Sequence, residues 1–419
     1  MKMIHSIVNY PEYASRQRVP SSVFISHQGC IPIYRKSFYQ RLGKFGTVNY
    51  VVVHGSAPKG SDLILASPPY DFQNIKVNNL EGRFAGRSWI WQPVVWRVLR
   101  GEFQAVVIGD EIKFLSNLAV AVIMTFRRRP VILWGFGYHQ YHVVQESLLA
   151  RISAHVAVYL KSLMYRFSSG YLVYTESGQK VLQNLPVPPK RIRVLKNTVD
   201  TEREAEFRAL VSAEPIEDCY SGVGVRADSI KLTYFGRFQR AKCIDLLIKY
   251  ARRCADRKLP VDVIIFGQGS EESRLHAMAD GLSNVVFHTH DDMKLARALR
   301  ISAAIVVPGF LGLAITHGFA HGVPTLTRLG QLHSPEIEYL HDKVNGLLLP
   351  ESQDAFFDAL DNFVGDRGLQ ERLAEGARQS AHSVDMTNMA RTFHELVCEC
   401  LATSGDSSKP RLAASCTAS

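Results

Sequence analysis

Several things are missing from this 419-residue sequence, and each absence removes a class of protein. Its longest apolar runs, such as Leu118–Phe126, fall well short of the ~20 residues that a membrane-spanning helix needs. Met1–Gln17 has no apolar core flanked by small residues, so a signal peptide is not expected. Cysteine is sparse and unpatterned. The seven residues, Cys30, Cys219, Cys243, Cys254, Cys398, Cys400 and Cys416, are odd in number and include no Cys-x-x-Cys pair. That argues against a disulfide framework or a zinc knuckle, and for reduced thiols in a cytosolic protein. The fifteen histidines place no His-x-x-x-His pair at a strand end, nor is there an Asp-x-Asp there, so no metal site is expected. Acidic residues are scarce in the first half. Residues 1–200 carry 25 Lys+Arg against 10 Asp+Glu, whereas the remainder carries 24 against 29. A basic half suits nucleic acid, an anionic membrane surface or a phosphorylated substrate. No RNA- or DNA-binding module is visible, so nucleic acid is not an expected partner.

What is present is the composition of a globular protein of two domains, 46% hydrophobic and 21% charged. Short apolar strands alternate with helical patterns. In the first half the strands are Val23–Ser26, Val48–Val53, Ala105–Ile108, Val131–Trp134, Tyr171–Tyr174 and Arg193–Leu195. Residues 56–90 are turn-rich with little regular signal. A second set comprises Leu232–Phe235, Val261–Phe266, Val285–His288, Ala303–Val307 and Thr325–Thr327. Strands separated by helices predict parallel sheets covered on both faces. The expected organisation is an N-terminal domain over 1–200, an acidic, irregular connection over 201–229, and a C-terminal domain over 230–385. A helix over 386–401 packs back toward the N-terminal domain, and 402–419 form a disordered tail.

Three loops stand where such sheets bind ligands, at the carboxyl ends of their strands. The first is Gly236-Arg237 through Lys242, two cations between a strand and a helix, suited to clamping a diphosphate. The second is the Gly267-x-Gly269 turn. The third runs from Val306 to Pro324, where Pro308 and Gly309 break a strand and Gly312-Leu313 open a short helix closed by Gly322 and Pro324. A Gly-rich turn into a helix start offers free backbone N–H groups to a phosphate. Each feature alone is equally compatible with an ordinary turn or a pair of solvated cations.

Together, and with Asn345-Gly346-Leu347-Leu348 after Glu336 and Glu338, they make residues 229–380 resemble the retaining GT-B glycosyltransferases of family four. The N-terminal half resembles the family more loosely, through Tyr174-Thr175-Glu176-Ser177 and Asn197-Thr198-Val199-Asp200. The resemblance implies an α/β GT-B fold, two Rossmann-like domains whose parallel sheets face an interdomain cleft. It implies a retaining glycosyltransferase of hexosyltransferase type, using a nucleotide-diphosphate sugar and a polysaccharide or lipid-linked oligosaccharide acceptor. Neither cofactor nor metal is then expected, because cations and a helix end neutralise the leaving diphosphate. A GT-B nucleotide-sugar epimerase and a catalytically silent GT-B partner subunit are the alternatives.

By this resemblance Arg237, Lys242, Gly312, Leu313 and Gly29 bind the donor diphosphate. His317, Gly267 and Gly269 bind the nucleotide and its ribose, and Gly309 and Phe310 face the donor sugar. The family places two glutamates, seven residues between them, where this chain has Gly309 and His317. His139 and Asp110 are the catalytic candidates on the acceptor side, although Asp110 and Glu111 also suit the N-terminus of the helix that follows. The helix expected over Glu146–Phe167 is amphipathic, with Arg151, Lys161 and Arg166. Its apolar face either packs on the sheet or, with Arg127–Arg129, rests on anionic lipid. The second option gives a cytoplasmic protein, peripheral on the inner face of the plasma membrane.

Overall fold

The structure is a computed structural model that describes residues 21–58, 63–84, 87–137, 148–185, 187 and 189–404. The first sheet contains β1 (Ser21–Ser26), β2 (Val48–His54), β3 (Asn74–Lys76), β6 (Ala105–Gly109), β7 (Val131–Gly135), β8 (Gly170–Val173) and β9 (Ile192–Val194). Its order is β3-β2-β1-β6-β7-β8-β9, with every pairing parallel. The second contains β10 (Ile230–Phe235), β11 (Val261–Phe266), β12 (Val285–His288), β13 (Ser302–Val307), β14 (Thr325–Arg328) and β15 (Gly346–Leu349), in the order β12-β11-β10-β13-β14-β15, again all parallel. Strands such as Val261–Phe266 are buried throughout, as helices on both faces of a parallel sheet require. In each sheet the chain reverses its winding beside the first strand, at β1/β6 and at β10/β13. The crevice at the carboxyl edge of such a reversal is where open parallel sheets accept ligands.

Two expectations fail locally. Residues 56–90 hold β3 and an antiparallel hairpin, β4 (Leu80–Phe84) with β5 (Arg87–Trp91), whose short polar strands carry little periodicity. The connection over 201–229 is not irregular but largely helical, Thr201–Ser212 followed by Ile216–Val223. Asp200 caps the first of these helices by accepting from Arg203 N–H at 3.4 Å, and Gly224 ends the second in the left-handed region at φ 78°. The acidic residues Glu202, Glu206, Glu217 and Asp218 that suggest a linker thus lie on a solvent-facing helix surface, while Glu204 turns inward.

The last helix, Met386–Ser404, buries Met386, Met389, Phe393, Leu396 and Val397 against the core of the first sheet. Residues 402–404 belong to this helix rather than to a tail, and 405–419 lie outside the described residues. The six cysteines among the described residues are free. No described helix is long and apolar enough to cross a membrane.

Candidate functional site

Between the domains lies a cleft of about 450 Å3. Its C-terminal wall is built at the β10/β13 reversal. Arg237 follows β10, and among the described residues no carboxylate pairs with it, while Lys242 Nζ donates to the carbonyl of Phe310 at 2.7 Å. Burial, and then the neighbouring Arg237, pull the Lys242 ammonium down to about 8 against the opposing charge of Glu336. After β13 the loop from Gly309 to Leu313 runs past Lys242 into the helix Ala314–His321. Phe310 N–H is taken by Ala241 O at 2.7 Å and Leu311 N–H by His333 Nδ1 at 3.1 Å. His333 Nε2–H in turn donates to Arg328 O at 3.1 Å, which fixes the neutral tautomer and pins the loop. The N–H groups of Gly312, Leu313 and Ala314 have no acceptor among the described residues, and all three residues line the cleft. An oriented row of free donors beside Arg237 and Lys242 suits a diphosphate.

The other predicted residues fall into three groups. Phe310, Gly267 and His317 are on the cleft wall with Arg237, Lys242, Gly312 and Leu313. Gly267 N–H is already bonded to His288 O at 2.9 Å, and a Cβ there would meet Gly236 O at 1.9 Å, with φ at 148°. Its glycine therefore serves the close approach of two loops, and its N–H is already taken within the protein. Gly269 does the same against Phe238, its φ being 155° and a Cβ meeting Phe238 O at 2.6 Å; it is not on the wall. Gly309 is likewise off the wall. A Cβ there would meet Ala241 O at 2.2 Å, so the Lys242 loop excludes any side chain, including the glutamate of the resembling family.

His317 is held from an unexpected side. Its Nδ1 lies 3.1 Å from Glu204 Oε2, and His321 Nε2 lies 3.0 Å from the same oxygen. The His317 contact is off the hydrogen-bonding direction and so is chiefly electrostatic. Glu204 comes from the connecting helix. Burial pulls His317 down, but the Glu204 carboxylate more than offsets it and the imidazole is raised, while the two histidines hold Glu204 well below the usual carboxylate range. Among the described residues no three His, Cys, Asp or Glu side chains are arranged to hold a metal ion.

The N-terminal wall departs most from expectation. Asp110, expected to polarise an acceptor hydroxyl, is 3% exposed and off the wall. Lys161 Nζ sits 3.0 Å from its Oδ2, and Tyr171 O–H donates to the same atom at 2.5 Å. Oδ2 is thus engaged twice inside the domain, and the carboxylate lies off the cleft wall, away from where an acceptor hydroxyl would sit. Gly29 is also off the wall. Its left-handed φ of 70° makes a turn packed on Phe114, and Gln28 takes the cleft position instead. His139 lies outside the described residues. The wall includes Gln28, Tyr34, Arg35, Ile64, Phe136, Tyr174 and Asn197. Sequence reasoning missed Glu336 and Arg35. Glu336 lines the cleft from the C-terminal domain, buried, and accepts from Ser334 O–H and from Asn197 Nδ2–H across the domain boundary. The Asn197-Thr198-Val199-Asp200 stretch was the available signal.

Comparison with known proteins narrows what this arrangement is. Residues 222–380 match the family described as Glycosyl transferases group 1. The D-inositol 3-phosphate glycosyltransferase of Kribbella flavida is 31% identical over 188 residues, which is 41% of this chain and 43% of that protein. The chain therefore spans less than half the length of this curated relative. Among solved structures, Anabaena HepE in complex with UDP has a TM-score of 0.64 at 14% identity, covering 90% of this chain and 100% of the other. The UDP-GlcNAc 2-epimerase of Neisseria meningitidis has a TM-score of 0.59 at 13% identity, covering 90% and 99%. At such identities the likeness is one of fold. Residues 222–380 are thus similar to the Glycosyl transferases group 1 domain, and the two domains together have the GT-B fold.

Proposed function

We propose that the protein transfers a sugar from a nucleoside-diphosphate sugar to a saccharide or lipid-linked saccharide acceptor, with retention at the anomeric carbon. The observation that carries this reading is the C-terminal wall. Arg237, Lys242 and the free N–H groups of Gly312–Ala314 converge on one stretch of a cleft between two Rossmann-like domains. In this reading they hold the diphosphate and take up its charge as the glycosidic bond breaks, so the step needs no metal. Asp110 has no part in it, and no protein nucleophile is invoked; the departing phosphate assists attack from its own face. Phe310 faces the donor sugar and His317 the ribose. The similarity to a D-inositol 3-phosphate glycosyltransferase and to HepE in complex with UDP supports a nucleotide sugar as co-substrate.

The test is incubation with a panel of nucleotide sugars, following released nucleotide and the sugar products. Slow release of nucleoside diphosphate supports transfer. Interconversion of nucleotide sugars would replace the reading by epimerisation, and absence of binding by a silent partner subunit.

Acceptor delivery at an anionic membrane, on a cytoplasmic face, is part of the same proposal, on altered grounds. Lys161 is bound to Asp110, while Arg127 and Arg129 donate to carbonyls at the end of the Val95–Leu99 helix and the loop beyond it. What supports the surface is an exposed apolar edge, Trp96, Val122, Phe126 and Tyr159, with exposed Arg100 and Arg128 just past the ends of two of these helices and Arg166 on the third. One face of the Leu148–Phe167 helix, at Ala157, Met164 and Tyr165, packs inward, and Val156, Tyr159 and Phe167 are left outside.

A further inference from the structure

Three cationic side chains are buried among the described residues, Lys161, Lys231 and Arg35. Two of them have their charge met by the protein. Lys161 lies 3.0 Å from the Asp110 carboxylate. Lys231 donates to the carbonyls of Ala227 and Ser229 and lies over the Tyr220 ring. Arg35 is different. It is 1% exposed, and among the described residues no carboxylate lies within ion-pair distance. One nitrogen donates to the Tyr174 hydroxyl at 3.2 Å, another has only the Met389 sulfur at 3.9 Å, and Nε has no partner. The guanidinium sits among aromatic rings, 4.9 Å from the centroid of Trp134, 5.2 Å from Tyr34 and 5.6 Å from Tyr174. Ring faces offset part of the cost of burying a cation, but none supplies a counter-charge.

This cation stands on the wall of the cleft. Arg35 follows β1, at the winding reversal of the first sheet, and lines the cavity beside Tyr34, Phe136 and Tyr174. The nearest acid of the opposite wall, Glu336, is already engaged by Asn197 and Ser334. The donor's diphosphate has its own cations, Arg237 and Lys242, in the other domain. We propose that Arg35 binds an anionic group of the acceptor, a phosphate or a carboxylate, so that the protein glycosylates a negatively charged saccharide or polyol. The proposal rests on the transferase reading above. The bound anion supplies the close counter-charge that is absent among the described residues, and the planar guanidinium offers it the Nε–H and an Nη–H side by side. Tyr34 and Phe136 give the ring of that acceptor an apolar face to lie on.

The experiment is calorimetric titration of inorganic phosphate, and separately of acetate, into protein saturated with UDP or, if UDP does not bind, GDP, so that the opposite wall is filled. One anion per chain is expected. Arg35→Met should weaken it at least about tenfold, as loss of a charge-assisted pair does, with nucleoside-diphosphate affinity unchanged within about twofold. Tighter phosphate than acetate assigns a phosphorylated acceptor, and the reverse a carboxylate. The proposal is overturned if neither anion binds the saturated chain, or if Arg35→Met binds it as the unaltered protein does. Should Arg35→Met fail to fold, Arg35→Lys carries the test: it keeps the charge without the fork and should bind the anion several-fold more weakly. If no nucleoside diphosphate binds, the transferase reading falls by itself. Phosphate titrations of Arg35→Met and Arg237→Ala side by side then still show which wall holds the anion.

Discussion

On the C-terminal wall of the cleft, the groups that can meet a ligand's negative charge are displayed. Among the described residues Arg237 has no acidic partner and three backbone N–H groups have no acceptor, and Lys242 is partly discharged by its surroundings. On the N-terminal wall the charge is hidden. Arg35 is sunk in an aromatic box, and Asp110, which by sequence position mirrors the loop acids of such sheets, is sealed by Lys161 and Tyr171. The difference has a physical origin. The C-terminal loops are short and Gly-rich, so backbone can approach a diphosphate directly. The N-terminal wall is made of side chains on helices and strand ends, which must be packed before they can be presented. One wall offers a general phosphate cradle; the other offers shape and a single fixed charge.

The largest expected effect breaks the comparison on the C-terminal side. Arg237→Ala or Lys242→Ala should each weaken nucleoside-diphosphate binding by about 1.5–3 kcal/mol, with the thermal midpoint nearly unchanged in Arg237→Ala and lowered in Lys242→Ala, which also loses the bond to the Phe310 carbonyl. Calorimetry measures it, and unaltered affinity in the double variant would remove the cradle altogether. Next is Gly267→Ala, which puts a Cβ 1.9 Å from Gly236 O at a left-handed φ. A stability loss of about 1–3 kcal/mol is expected in denaturant titration, and no loss would mean the loops are freer than they stand. The pH dependence sharpens the contrast. Lys242 carries its charge below about 8 and loses it above. A diphosphate binds the charged form, so affinity should be level below that pH and fall above it by at most about tenfold per unit. A curve without this break at pH 8, or one retained in Lys242→Ala, would assign the dependence elsewhere.

Smaller effects concern the seam between the walls. His317→Gln should keep activity and His317→Leu lose about 0.5–1.5 kcal/mol of nucleotide binding, because only the first can still bond a hydroxyl. Equal behaviour of the two folded variants would reduce His317 to packing. The weakest effect is electrostatic attraction to lipid, on the order of 1 kcal/mol per basic residue near the surface and screened by salt. Sedimentation with anionic vesicles is expected at low ionic strength and not at high. No sedimentation at low salt would point to a soluble acceptor.

The alternation of strands and helices, and the three ligand-edge loops of the C-terminal domain, were determined by the sequence itself. Their signals are local: apolar runs of strand length, and glycines where a turn requires them. Local pattern alone therefore suffices to assign Arg237, Lys242, Gly312 and Leu313 to one edge. The connection over 201–229 was legible as a connection but not as helices, because its residues are polar on most sides and its stability comes from contacts such as Arg203 to Asp292 and Arg208 to Ala320. Tertiary structure alone decided the rest. Asp110 and Lys161, Glu204 and His317, Glu336 and Asn197 each lie far apart in the chain, and no local pattern announces such a pair. Whether a charge is met or left open is a property of the packed neighbourhood. That is why Asp110 reads from sequence as a catalytic acid and proves to be a buried strut. It is also why Arg35, one more cation in a basic half, emerges as the buried charge with no carboxylate within ion-pair distance among the described residues.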